Sequence, residues 1–203
     1  MDFKKNKIAC PPHYIRQQCG LAKCCGRGFS IIELIVCASI IVIMSLLVMA
    51  NFKGSAQKSA LNNETERLST IIREAHIDAL IGLTINGIRP AGGFGVYLNE
   101  CTVNCFYTLF ANQADQDGDY DYEYDHGVND SLVQQIGMLD SHVYIENITP
   151  GNALNIIFIP PYGSIYFNGS ESIDQVTITL GYQQTQYKKN IIISRLTGKI
   201  DVQ

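Results

Sequence analysis

Gly28-Phe29-Ser30-Ile31-Ile32-Glu33-Leu34-Ile35-Val36 opens an apolar run that continues to Ala50. From Ile31 to Ala50 the run holds one acid, Glu33, and no Lys or Arg. At 1.5 Å per residue such a helix is about 30 Å long, enough to cross a hydrocarbon core. A carboxylate near the start of a membrane helix is costly, so it calls for a partner and a task. Working outward from this run, a basic Cys-containing segment precedes it and a polar helical pattern follows it.

Gly28, Phe29 and Glu33, at this spacing within Gly28–Val36, resemble the prepilin cleavage and assembly motif of type IV pilins and type II secretion pseudopilins. The resemblance implies that a prepilin peptidase cuts after Gly28 and that the new N-terminal Phe29 is N-methylated. It implies that Glu33 pairs with an N-terminal amine as the filament assembles. An amine and a carboxylate meeting in low dielectric relieve each other's burial cost, which either alone would bear. The implied partners are other pilins or pseudopilins, the peptidase and an inner-membrane assembly platform. The implied location is the bacterial inner membrane, crossed once, with the ectodomain in the periplasm or, after assembly, outside the cell. Taken without the resemblance, the same residues also fit an ordinary signal anchor with an incidental Glu.

Charge is divided unevenly. Residues 1–28 carry Lys4, Lys5, Lys7, Arg16, Lys23 and Arg27 against Asp2, leaving nine basic and eighteen acidic side chains to the remainder. A basic leader before an apolar span predicts that the leader stays cytoplasmic while the rest crosses. An acidic ectodomain is a poor match for nucleic acid. Cys10, Cys19, Cys24 and Cys25 do not follow a zinc spacing, so residues 1–28 read as a discarded leader.

The expected fold class is α+β: a long N-terminal helix, transmembrane in its first half, packed on an antiparallel β-sheet domain. Residues 29–50 form the membrane half, where Ser30, Ala38, Ser39 and Ser45 are small enough for helices to approach closely. Residues 51–83 form an amphipathic half, with Leu61, Leu68, Ile72, Ala75, Ala79 and Leu83 recurring as one stripe. Residues 84–203 supply the sheet. Its expected strands are Phe94–Leu98, Phe106–Phe110, Leu132–Leu139, His142–Ile148, Ala153–Ile159, Ile165–Phe167, Val176–Leu180, Lys189–Arg195 and Lys199–Val202. Arg73-Glu74-Ala75, Gly95-Val96-Tyr97, Leu109-Phe110-Ala111-Asn112 and Phe158-Ile159-Pro160-Pro161-Tyr162-Gly163 are similar to segments of the GspH/FimT subgroup of this family.

A hairpin between the first two strands would bring Cys101 and Cys105 together, and an exported domain is oxidising. We expect a disulfide there, with two free thiols as the alternative. Between Asp115 and Asp125 six of eleven residues are acidic. A solvated loop is the favoured reading, and a Ca²⁺ site on Asp115, Asp117, Asp119 and Asp121 is the other, although the EF-hand register fails.

No cofactor is required by any motif. The four histidines, at positions 13, 76, 126 and 142, lie in unrelated segments, and no nucleophile elbow or H-E-x-x-H occurs, so an enzyme is not expected. The leading reading is a minor pilin or pseudopilin. The alternatives are a minor pilin that binds DNA for uptake, through Lys188, Lys189, Arg195 and Lys199, and an anchored protein that never assembles.

Overall fold

Helix formation begins where the sequence places its first cap. In the computed structural model, which describes residues 29–113, 120, 122–125 and 130–203 (for Ala50 and Asn51 the backbone alone), α1 runs from Ile31 to Ile81. Gly54 does not interrupt it. The chain divides after Leu46 into two compact units. In the first, every described residue is exposed, and the helix carries an 18-residue window of mean hydropathy 2.9. It is long and apolar enough to cross a membrane. A helix is the form that satisfies its own backbone there, since lipid offers no hydrogen-bond partners.

In the second unit the helical stripe is buried. Leu61, Leu68, Ile72, Ala75 and Ala79 all lie within the core. Each fully buried Leu or Ile of this set contributes about 1.5–3 kcal/mol relative to exposure. Leu83, expected as the stripe's last member, lies beyond the helix end and is exposed. The reason is a left-handed Gly82 (φ 65°), with Gly82 N–H donating to Ala79 O and Leu83 N–H to Asp78 O. That pair of bonds is a Schellman cap, which satisfies the last carbonyls and turns the chain away.

Nine strands are present among the described residues: β1 (Phe94–Asn99), β2 (Phe106–Ala111), β3 (Ser131–Gly137), β4 (Val143–Thr149), β5 (Ala153–Ile159), β6 (Ser164–Phe167), β7 (Gln175–Tyr182), β8 (Lys188–Ser194) and β9 (Ile200–Val202). They make two antiparallel sheets, β3-β2-β1-β5-β6 and β4-β7-β8-β9, where the sequence reading spoke of one β-sheet domain. Both sheets are amphipathic by alternation. Phe94, Val96 and Leu98 of β1, Leu154, Ile156 and Phe158 of β5, and Val176, Ile178 and Leu180 of β7 join the helical stripe in one core. Two sheets and one helix thus share a single apolar interior, and the architecture is α+β.

The five-stranded sheet is also covered on its other face. Phe110 and Ile157 point away from the helical stripe yet are fully buried. The Phe110 ring lies over Gly95, where a Cβ would approach it to 2.5 Å. Tyr124, from the β2–β3 connection, packs on Phe110 (ring centroids 4.9 Å) and on Tyr97 (5.4 Å), and Tyr122 stacks on Tyr166 (4.8 Å). Tyr124 N–H donates to Asn155 Oδ1, and Asp130 accepts from Gln113 N–H and Asp125 N–H, tying the connection to the sheet.

Candidate functional site

The start of α1 is the first place where chemistry collects. Ser30 O accepts from Leu34 N–H at 3.1 Å, which makes Ser30 the cap and Glu33 the third helical residue. Ser-x-x-Glu at these positions is the spacing of a capping box, a signal the sequence reading passed over. A carboxyl group here also lies near the positive end of the helix dipole. Glu33 nevertheless makes no hydrogen bond or ion pair among the described residues, and it is exposed with its neighbours Ile32 and Leu34. Phe29, two residues before the helix, is 75 % exposed. Gly28 and the rest of residues 1–28 lie outside the described residues.

Of the small residues in this segment, two have their polar groups engaged. Ser39 Oγ donates to Val36 O (2.8 Å) and Ser45 Oγ to Ile41 O (2.7 Å). Back-bonded hydroxyls leave no free donor directed outward, so these positions present small, nearly apolar surface. Cys37 is a free, exposed thiol.

In the second unit, Cys101 and Cys105 are joined by a disulfide with Cα atoms 5.6 Å apart. Cys101 N–H also donates to Ile145 O, so the bridged loop is fastened to β4. Asp115, Asp117, Asp119 and Asp121 lie outside the described residues. What is described beside them is a set of tyrosines: Tyr120 stacks on Tyr122, Tyr122 on Tyr166, and Tyr124 packs on Phe110 of the sheet. The motif Tyr-Asp-Tyr-Glu-Tyr carried that signal, three aromatic side chains set within an acidic run. The described His, Cys, Asp and Glu residues form no group able to hold a metal ion.

Three of the four cations named near the C-terminus, all but Lys189, are ion-paired. Lys188 pairs with Glu146 at 2.5 Å, Arg195 with Asp174 at 3.0 Å, and Lys199 with Asp201 at 2.8 Å. His76 stacks on Phe158 with ring centroids 4.8 Å apart, and burial pushes its imidazole below the usual range. It borders a cavity of about 410 Å³ with Tyr166, Glu171 and Arg195, whose charges offset one another; the Tyr166 hydroxyl donates to Glu171.

The most unusual polar group is on the helix. Glu64 is 1 % exposed, and its Oε2 accepts from Leu139 N–H at 3.0 Å. Its Oε1 lies 3.6 Å from the Arg67 guanidinium, which in turn donates to Gly137 O at 3.1 Å. Burial, and then the adjacent Glu64 carboxyl group, push the Tyr107 hydroxyl up to about 12. Neither that hydroxyl nor Glu64 Oε1 completes a hydrogen bond. This cluster fastens the helix to the turn after β3, with Glu64 and Tyr107 buried and Arg67 partly exposed. The sequence reading placed Glu66 on the polar face but did not single out Glu64, which follows Leu61 by three and precedes Leu68 by four on the stripe.

No protein-family model, curated protein or solved structure matches this chain.

Proposed function

We propose that this chain is a minor pilin or type II secretion pseudopilin: a subunit cleaved after Gly28 and assembled by its N-terminal helix into a pseudopilus or pilus. The observation that carries the reading is Glu33, an acid with no partner among the described residues, on the first turn of a helix whose exposed stretch from Ile31 to Met49 holds no other charge. A lone acid in a merely anchoring helix has nothing to offset its desolvation, whereas a free amine at Phe29 of a neighbouring subunit supplies the opposite charge. The exposed helix would then bury itself against copies of the same segment, and the back-bonded Ser39 and Ser45 suit close helix approach. The inner membrane, the peptidase and the assembly platform follow from this reading as location and partners. No part of it calls for enzymatic chemistry.

DNA uptake ranks below it, because Lys188, Arg195 and Lys199 already have carboxylate partners and the region after the leader is acidic. Edman sequencing of the protein purified from its native host tests the proposal. The expected first residue is a methylated Phe29; a chain that keeps residues 1–28, or starts elsewhere, refutes it.

A further inference from the structure

Residues 51–63 and 175–200 contain no Asp or Glu, although the region after residue 28 carries eighteen acids against nine bases. The fold brings these two acid-free stretches together. Gly54 of α1 lies beside Tyr187, at the end of the β7–β8 turn, where a Cβ would stand 3.6 Å from the Tyr187 hydroxyl. One helical turn further on, the Lys58 ammonium sits over the Tyr187 ring, 4.7 Å from its centroid. The β7–β8 turn is itself closed by Tyr182 N–H on Tyr187 O and Thr185 N–H on Tyr182 O.

Between helix and turn runs a groove of about 310 Å³, whose lining includes Leu61, Asn62, Tyr187 and three lysines, Lys58, Lys188 and Lys189. No acid lines it. Lys188 is neutralised by Glu146, whereas Lys58 and Lys189 make no ion pair among the described residues. Asp140, which reaches Tyr182 at the start of the turn, is engaged by His142 N–H. Gln184 and Gln186, both exposed on the turn, add neutral amide donors. Two unpaired ammonium groups beside amides suit a phosphate, which accepts charge-assisted hydrogen bonds.

We propose that this groove holds the phosphate of an anionic phospholipid in the bilayer that the Ile31–Ala50 run enters. Position selects that occupant. Gly54 and Lys58 stand four and eight residues past Ala50 on the continuous helix α1, about 6 and 12 Å of rise beyond the apolar run. The headgroup layer is about 5–7 Å deep on each side of the hydrocarbon, and a lysine stem reaches back towards it. Phe52, 70 % exposed, and the half-buried Tyr187 fit the same layer, where aromatic side chains collect. A soluble anion meets the groove only at its bulk concentration, whereas a headgroup is kept within reach by the chain itself. The acid-rich remainder of the domain is repelled by an anionic surface, which favours approach by this face. The inference rests on the membrane-spanning part of the proposed function and not on cleavage or filament assembly.

The test places the full chain, with Cys10, Cys19, Cys24, Cys25 and Cys37 replaced by serine, in vesicles of phosphatidylcholine alone or mixed equally with phosphatidylglycerol. Gln184→Cys carries a fluorophore on the turn, and a trace of phosphatidylcholine with a nitroxide headgroup quenches whatever comes close. Quenching is expected to be greater in the anionic vesicles. That excess is expected to vanish in about 1 M salt, where the screening length is about 3 Å. Lys58→Gln with Lys189→Gln is expected to lose it, and Lys58→Arg with Lys189→Arg to keep it. A label at Tyr162→Cys, beside His76 and so eighteen residues past Lys58 along the helix, is expected to show none. Equal quenching in the two vesicles, an excess that survives either the salt or the glutamine variant, or an excess removed by inorganic phosphate at constant ionic strength overturns the inference and leaves the membrane reading standing. A chain that alkaline washing strips from both vesicles overturns the membrane reading, and this inference with it.

Discussion

Tyr107→Phe separates the buried Glu64–Tyr107 cluster from the rest of the protein through its dependence on pH. The Tyr107 hydroxyl is fully buried beside Glu64, and its pKa rises from 10.0 to about 12. The native state therefore favours the protonated phenol more than the unfolded chain does. The sign follows from that. Below pH 10 both states hold the proton and stability is flat; from 10 to about 12 the unfolded chain loses its proton first, and stability falls as pH rises. A shift of two units at 1.36 kcal/mol each makes the loss about 2–3 kcal/mol. Phenylalanine cannot titrate, so the variant lacks this component. At neutral pH the substitution removes a hydroxyl that completes no hydrogen bond, and stability is expected to change by less than about 1 kcal/mol. The assay is urea unfolding of the detergent-solubilised chain, followed by far-UV circular dichroism at pH 8, 10, 11 and 12. The other raised tyrosines, Tyr124, Tyr166 and Tyr182, are common to both proteins and cancel in the difference. Glu64→Gln is expected to narrow the window without closing it, because burial is the larger cause. Stability curves that run parallel for wild type and Tyr107→Phe up to pH 12 would refute the reasoning.

Four other outcomes are expected. Glu33→Val should leave membrane insertion intact and abolish incorporation into filaments, measured by shearing and immunoblotting; unchanged assembly removes the carboxyl group from the mechanism. Leu68→Ala, at a fully buried position of the helical stripe, should cost about 2–5 kcal/mol in urea unfolding. Replacing Cys101 and Cys105 together by alanine should cost at most about 2 kcal/mol, since the closed loop is short and its chain-entropy term small; a calorimetric change well above that would mean the bridge holds more than its own turn. Gly93→Ala should be far worse than an ordinary loop change, because Gly93 has φ 88° and a Cβ there would meet Phe158 O at 2.0 Å; wild-type thermal stability would show that the β1 entry can shift.

Several parts of this protein were legible because they depend on neighbours along the chain. The run from Ile31 to Ala50 is apolar whatever surrounds it, and the stripe from Leu61 to Ala79 repeats with the helical period, so one long helix could be read directly. Strand positions came from alternation and from Gly, Asn and Pro at their ends. Leu83 was misplaced because the same spacing that extends a stripe on paper is cut in space by the left-handed Gly82. Glu64 went unsingled because its significance lies in Tyr107, Leu139 and Arg67, groups brought to it from 43 and 75 residues away as well as three.

What the linear order of residues decided by itself is local: which segments are helix or strand, where a carboxyl group interrupts an apolar span, and how charge divides between leader and remainder. The tertiary structure alone decided how strands divide into two sheets and which face Tyr122 and Tyr124 cover. Those features arise from backbone hydrogen bonds and apolar contacts between residues far apart in sequence. Their energies depend on burial and register, and neither quantity exists until the chain has closed on itself.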